Sequence, residues 1–186
     1  MLCHPNGADR LNCFALVAYI PEPLAQFLDS LRKEMVSGCK PHAHVTVLPP
    51  RPISGTVEEA GQLAQSLAAD FPPFEIAIGD VEIFPVTEVV YLGIRAGVDR
   101  LLPMHEAMNI GPLEFHEPFP YHPHITLAQE LQPGQSARLA EVARRRWSEF
   151  AYPKRFPVET LTFVQNTVEN TWVDLVECHL AAVPVR

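Results

Sequence analysis

The sequence has no apolar run approaching the roughly 20 residues that cross a bilayer; a long one, Phe14 to Ile20, ends at Pro21. Met1 to Arg10 lacks the basic-then-apolar order of a secretory leader. Cysteine is scarce too. Cys3, Cys13, Cys39 and Cys178 form no C-x-x-C pair and no small-domain framework, which argues against zinc-finger chemistry and for free thiols in a reducing compartment. A cytoplasmic protein without a membrane anchor is the expectation. Charge is also sparse, at 19% of residues, and the formal net charge of −8 disfavours electrostatic capture of duplex DNA.

What is present is ordinary globular material: 186 residues with 47% hydrophobic content, enough to bury a core without staples. One domain over residues 1–186 is expected, with lobe-like halves at 12–84 and 88–180 and a monomeric state. The densest basic stretch, Arg144 to Arg146 followed by Lys154 and Arg155, reads as a solvated helix face, with an RNA-facing patch as the alternative.

Hydropathy patterning predicts a strand over Cys13–Ile20, then a helix over Glu22–Met35 whose Leu24, Phe27, Leu28 and Leu31 form one stripe. His44–Leu48 alternates in period two and is expected to end at Pro49-Pro50. Thr56–Ala69 carries a capping box, Thr56 with Glu59, and a Leu63/Leu67 spacing that predicts a helix. Strands are predicted over Phe74–Phe84 and Glu88–Ile94, joined by a turn containing Pro85, then a helix over Val98–Met108. A strand over His124–Ala128, a helix over Ser136–Phe150 and a hairpin of Thr160–Gln165 with Thr171–Cys178 complete the reading. Strand-helix-strand order thus occurs twice. A pseudo-twofold between the halves would bring the two histidine-bearing strands together near its axis. The Pro-rich Gly111 to Pro123 reads as an insertion near the mouth of a site.

Both halves hold H-x-T within an apolar strand, His44-Val45-Thr46 and His124-Ile125-Thr126. Alternation puts each His beside a Thr on one face, while Val45, Val47, Ile125 and Leu127 anchor the other. Hydrolysis of a phosphate ester needs a base for water and an acid for the leaving oxygen; imidazole, with an ordinary pKa near 6.5, serves either role. Thr46 and Thr126 can donate hydrogen bonds to the non-bridging oxygens. Either His alone reads as a satisfied strand histidine; the matched pair points to chemistry.

The segments PHAHVTVLPPRP and YHPHITLAQ resemble the two H-x-[ST] signatures of the 2H phosphoesterase superfamily, in particular its 2'-5' RNA ligase-like (LigT-like) members. The resemblance covers Cys13 to Leu180, and the motif positions match without departure. It implies an α+β, bilobal LigT-like fold, with two pseudo-twofold-related halves and antiparallel sheets around a central cleft. It also implies metal-independent hydrolysis of 2',3'-cyclic phosphate or 2'-5' phosphodiester bonds, with His44, Thr46, His124 and Thr126 as catalytic residues. The implied partner is a nucleotide or RNA terminus, and no cofactor is expected.

Rival readings remain at this level. His42 and His122 extend each motif to H-x-H-x-T, so that His42, His44, His122 and His124 form a zinc site on paper, without an obvious carboxylate second shell. A histidine-triad hydrolase is a poor match because Thr46 stands where a third His belongs. A noncatalytic nucleotide- or RNA-end-binding module is a further alternative. Tyr121 and Phe119 are candidates to stack a base, and Arg51 to meet a second phosphate. Phe84 and Trp172 read as core or hairpin residues, and Cys13 and Cys178 as small buried hydrophobes.

Overall fold

Two four-stranded antiparallel sheets and four helices make up the computed structural model, which describes residues 9–40 and 42–182. The elements run β1 (Arg10–Tyr19), α1 (Leu24–Met35), β2 (His44–Arg51), α2 (Val57–Ala68), β3 (Phe74–Ile83), β4 (Val90–Ala96) and α3 (Val98–Met108). Then come a 3-10 turn at Gly111–Leu113, β5 (His124–Ala128), α4 (Gln135–Glu149), β6 (Arg155–Val158), β7 (Thr160–Thr167) and β8 (Trp172–His179). Strand order is β2-β1-β7-β8 in one sheet and β5-β4-β3-β6 in the other. The two orders match position by position, with β1–α1–β2 answering to β4–α3–β5. The closing hairpin completes the first sheet and β3 belongs to the second, so the stretches 12–84 and 88–180 exchange strands.

Both motif strands lie at sheet edges, and β2 and β5 meet each other. Edge position explains why β2 continues through Pro49-Pro50 to Arg51 rather than stopping at Leu48: proline lacks only a donor that an edge strand can spare. Strand β6 has no counterpart in the sequence pattern. It is four residues long and contains Pro157, again tolerable on an edge.

The helices cover the sheets with the faces their patterns dictate. Leu24, Leu28 and Leu31 of α1 are buried, with Phe27 half-buried beside them. In α2 the capping box forms as read, Glu59 N–H donating to Thr56 Oγ1 at 3.1 Å and Thr56 N–H to Glu59 Oε2 at 2.9 Å. Its buried face is Ala60, Gly61, Ala64 and Ala68 rather than Leu63 and Leu67, because small residues let the helix lie close to β8 and β7. Gly97, at φ 96°, starts α3 where a Cβ would stand 2.9 Å from the Glu75 carbonyl.

One apolar cluster joins both sheets, from Phe14 and Leu16 through Val45, Val47, Ile125 and Leu127 to Phe163. No helix among the described residues is long and apolar enough to cross a membrane. The expectation of four free thiols is corrected at Cys13, which is disulfide-bonded, whereas Cys39 and Cys178 are free. Cys13 and Cys178 are buried, as expected.

Candidate active site

Period-two alternation does on β2 and β5 what the sequence requires. Val45, Val47, Ile125 and Leu127 are fully buried, so His44, Thr46, His124 and Thr126 turn to the opposite face and stay half-buried. The neighbouring strands hold them in corresponding registers: His44 and Thr46 lie opposite Tyr19 and Val17 of β1, and His124 and Thr126 opposite Gly93 and Tyr91 of β4. All four motif side chains line a single cavity of about 340 Å³.

Each candidate histidine is oriented by the residue two positions before it. His44 Nδ1 lies 2.7 Å from the His42 carbonyl, and His124 Nδ1 lies 2.6 Å from the His122 carbonyl. A carbonyl only accepts, so Nδ1 carries the hydrogen in both rings and Nε2 is left free as base or, when protonated, as acid. Burial lowers the His44 pKa to about 4, against the opposing pull of its carbonyl partner; the Arg32 charge lowers it further. His124 is lowered for the same first reason, burial. Aromatic rings hold the imidazoles from the side. Tyr19 meets His42 and His44 edge-on at 6.4 Å, and the stacked pair Phe84 and Tyr91 meets His124 at 5.0 and 5.4 Å. Each tyrosine is fixed by a carboxylate, Tyr19 Oη donating to Asp174 at 2.6 Å and Tyr91 Oη to Glu82 at 3.0 Å.

The zinc arrangement does not form. His42 Nδ1 turns to Asp29 at 3.1 Å, and His122 packs against Phe84 and Tyr91. Among the described residues no three His, Cys, Asp or Glu side chains gather closely enough to hold a metal ion.

Two substrate-contact expectations are corrected. Arg51 does not line the cavity: its guanidinium is 1% exposed and ion-paired to Glu117, with Nη1 donating to Asn109 Oδ1 at 2.6 Å and to the Leu113 carbonyl at 3.1 Å. Tyr121 also faces away, its ring stacked on His105 at 4.0 Å and its hydroxyl donating to the Thr46 carbonyl at 2.8 Å. Phe119 is exposed and outside the cavity. The aromatic walls are instead Tyr19 and Trp172, so Trp172 is more than a hairpin residue, and Phe84 supports His124. Arg146, Lys154 and Arg155 are engaged with Glu34 and Glu149, with Trp147 and with Glu75, away from the site.

Sequence reasoning missed Arg32 and Lys40, the cations that line the cavity. For Arg32 a signal existed. It continues the i, i+4 row of Leu24 and Leu28 into the buried face of α1, where a cation needs a reason.

The model of the 2'-5' RNA ligase superfamily matches residues 20–170, which include both motifs. The chain belongs to the 2'-5' RNA ligase superfamily. Curated relatives of this superfamily member include a protein of Oceanobacillus iheyensis named as a phosphoesterase, 33% identical over 81 residues, covering 43% of this chain and 45% of that one. Another, of Geobacillus kaustophilus and named likewise, is 28% identical over 127 residues, 63% of this chain and 69% of that one. Among solved structures, E. coli LigT in apo form superposes with a TM-score of 0.62 at 16% identity, covering 95% of this chain and 100% of that one. LigT complexed with 3'-AMP gives 0.60 at 18% identity, covering 94% and 100%. A protein of Thermus thermophilus gives 0.59 at 18% identity, covering 90% and 97%. The superfamily member therefore has the expected α+β, LigT-like fold.

Proposed function

We propose that the protein is a metal-independent phosphodiesterase that hydrolyses 2',3'-cyclic phosphate or 2'-5' phosphodiester bonds in RNA ends or small nucleotides. His44 and His124 act as the acid-base pair. One neutral imidazole takes a proton from the attacking water through Nε2, and the other, as imidazolium, gives a proton to the departing ribose oxygen. The negative charge of the bound diester favours the imidazolium form of one partner and offsets the effect of burial. Thr46 and Thr126 donate hydrogen bonds to the non-bridging oxygens, whose charge grows in the transition state. After turnover the two rings have exchanged protonation states, and exchange with solvent resets them.

The observation that carries this reading is the duplicated Nδ1-to-carbonyl arrangement, which leaves Nε2 available on two imidazoles that line one cavity. The cavity's size, about 340 Å³, suits a small ligand such as a nucleotide. Val17, Val164 and Trp172 form an apolar wall suited to a base. Support also comes from the relatives: two are named as phosphoesterases, and LigT has been crystallised with phosphate and with 3'-AMP.

The test is a panel of 2',3'-cyclic nucleotides, 2'-5' dinucleotides and cyclic-ended RNAs, assayed with and without EDTA. Turnover in EDTA is expected, with a loss of about 10² to 10⁴ in His44→Ala and His124→Ala and a smaller one in Thr46→Val and Thr126→Val. Folded histidine variants with wild-type rates, or activity abolished by EDTA and restored by zinc, would overturn the reading.

A further inference from the structure

Among the described residues, Arg32 is the one cation buried beside the cavity whose guanidinium is not fully used by the fold. It is 6% exposed, and Nη1 donates to the His42 carbonyl at 3.3 Å. Its Nε is buried without any hydrogen-bond partner. Native structures leave few such groups, and the residue that carries this one also lines the cavity, where a guanidinium short of partners favours an anion. Asp29, one turn earlier on α1, is already engaged by His42 Nδ1 at 3.1 Å and by the Ala43 N–H at 2.7 Å.

Position separates Arg32 from the reacting centre. The His42 carbonyl that receives Arg32 Nη1 also receives His44 Nδ1. The guanidinium therefore lies toward the Nδ1 side of His44, away from the Nε2 edge assigned to chemistry. Arg32 also lines a second cavity of about 250 Å³ next to the first. The residues common to both are Arg32, Lys40, Thr126 and Gln129, two cations and two neutral hydrogen-bonding side chains. The carboxylates Glu130 and Glu169 line only the second. An anion is thus favoured at the neck between the cavities and disfavoured beyond it.

We propose that Arg32 anchors a second phosphate subsite, which takes the 5'-phosphate of the nucleotide whose 2',3' end is processed. The protein then selects a terminal nucleotide bearing that phosphate over an unsubstituted nucleoside 2',3'-cyclic phosphate. This rests on the assignment of His44 and His124 for where the reacting phosphate sits. The planar guanidinium offers its terminal Nη–H groups to phosphate oxygens, and the Nε–H behind them senses the bound charge. Lys40, exposed at the rim, adds charge.

Binding decides the matter without turnover. By calorimetry, wild-type protein is expected to bind adenosine 3',5'-bisphosphate at least about tenfold more tightly than adenosine 3'-phosphate, and Arg32→Met to lose most of that preference. In the native protein the Arg32 Nε–H resonance, identified by its absence from Arg32→Lys, should move with the bisphosphate and not with the monophosphate. The dinucleotide ApAp, whose second phosphate is an internal diester, is the third probe. A gain from it names an RNA end, and a gain from the bisphosphate alone names a free nucleotide. Equal wild-type affinity for adenosine 3'-phosphate and both other probes, or an Nε–H signal indifferent to the bisphosphate, overturns the subsite whether or not Arg32→Met folds. A retained preference without hydrolysis would sink the catalytic reading alone, and hydrolysis without preference would sink the subsite alone.

Discussion

The Tyr121 hydroxyl donates a hydrogen bond to the Thr46 carbonyl at 2.8 Å, joining the residue just before the second motif to the backbone of the first. The Tyr121 ring stacks on His105, whose Nδ1 faces the Val47 carbonyl at 2.8 Å. Two consecutive carbonyls of β2 are thereby held from behind by groups belonging to α3 and the segment leading into β5. The spacing of the two motifs depends on this clasp as well as on the apolar core.

Tyr121→Phe keeps the stacked ring and removes the tie. The expected outcome is a fall of about tenfold in kcat with KM little changed, because small displacements of paired catalytic groups are costly. Stability should drop by only about 0.5–1.5 kcal/mol, the usual net value of one hydrogen bond. Steady-state kinetics read beside a thermal melt separate this outcome from general destabilisation, which would move the melt without the kcat effect.

The pH profile follows from burial. His44 is lowered to about 4, so in the free protein it stays neutral, and able to act as a base, well below the ordinary imidazole range. His124 is lowered too, so the form able to donate a proton is lost below the ordinary value near 6.5. Whichever ring plays which part, kcat/KM should peak on the acid side of 6.5, with limbs belonging to the pair rather than to one residue. Rates of a 2',3'-cyclic nucleotide measured from pH 3.5 to 8 check this, and a maximum above neutrality would contradict it.

Arg51 and Glu117 form a buried pair, with 1% and 12% side-chain exposure, that ties β2 to the segment before β5. Changing Arg51 to Met leaves the Glu117 carboxylate without its guanidinium and should cost about 3–5 kcal/mol. That corresponds to a fall of roughly 6 to 20 °C in Tm for a chain of this size. The role is structural, so calorimetry should report most of the effect and substrate KM little of it.

Thr56→Ala removes the α2 capping box, which is remote from the cavity, and should cost about 0.5–2 kcal/mol. Urea denaturation should show the loss, while kcat/KM stays at the wild-type value.

Local pattern made the elements legible. The alternation of HVTVL and HITLA predicted which side chains face the cavity, and Thr56 with Glu59 predicted the start of α2. Where the reading failed, the deciding contact lay far away along the chain. Arg51 looked like an exposed cation after two prolines, but its carboxylate is 66 residues on. Tyr121 looked like a base platform, yet its hydroxyl partner is 75 residues back. Trp172 reaches the cavity because β8 joins β1 and β2 through β7, a sheet order the strand predictions did not contain.

The sequence by itself determined the strands that carry H-x-T, the face each motif presents and the superfamily, because period-two burial and short motifs are properties of neighbouring residues. Only the tertiary structure decided that both edge strands meet over one cavity, that carbonyls of His42 and His122 fix the imidazoles, and that Arg32 rather than Arg51 borders the site. Those outcomes depend on sheet order and on which buried charges find partners, and both are settled by long-range packing rather than by local spacing.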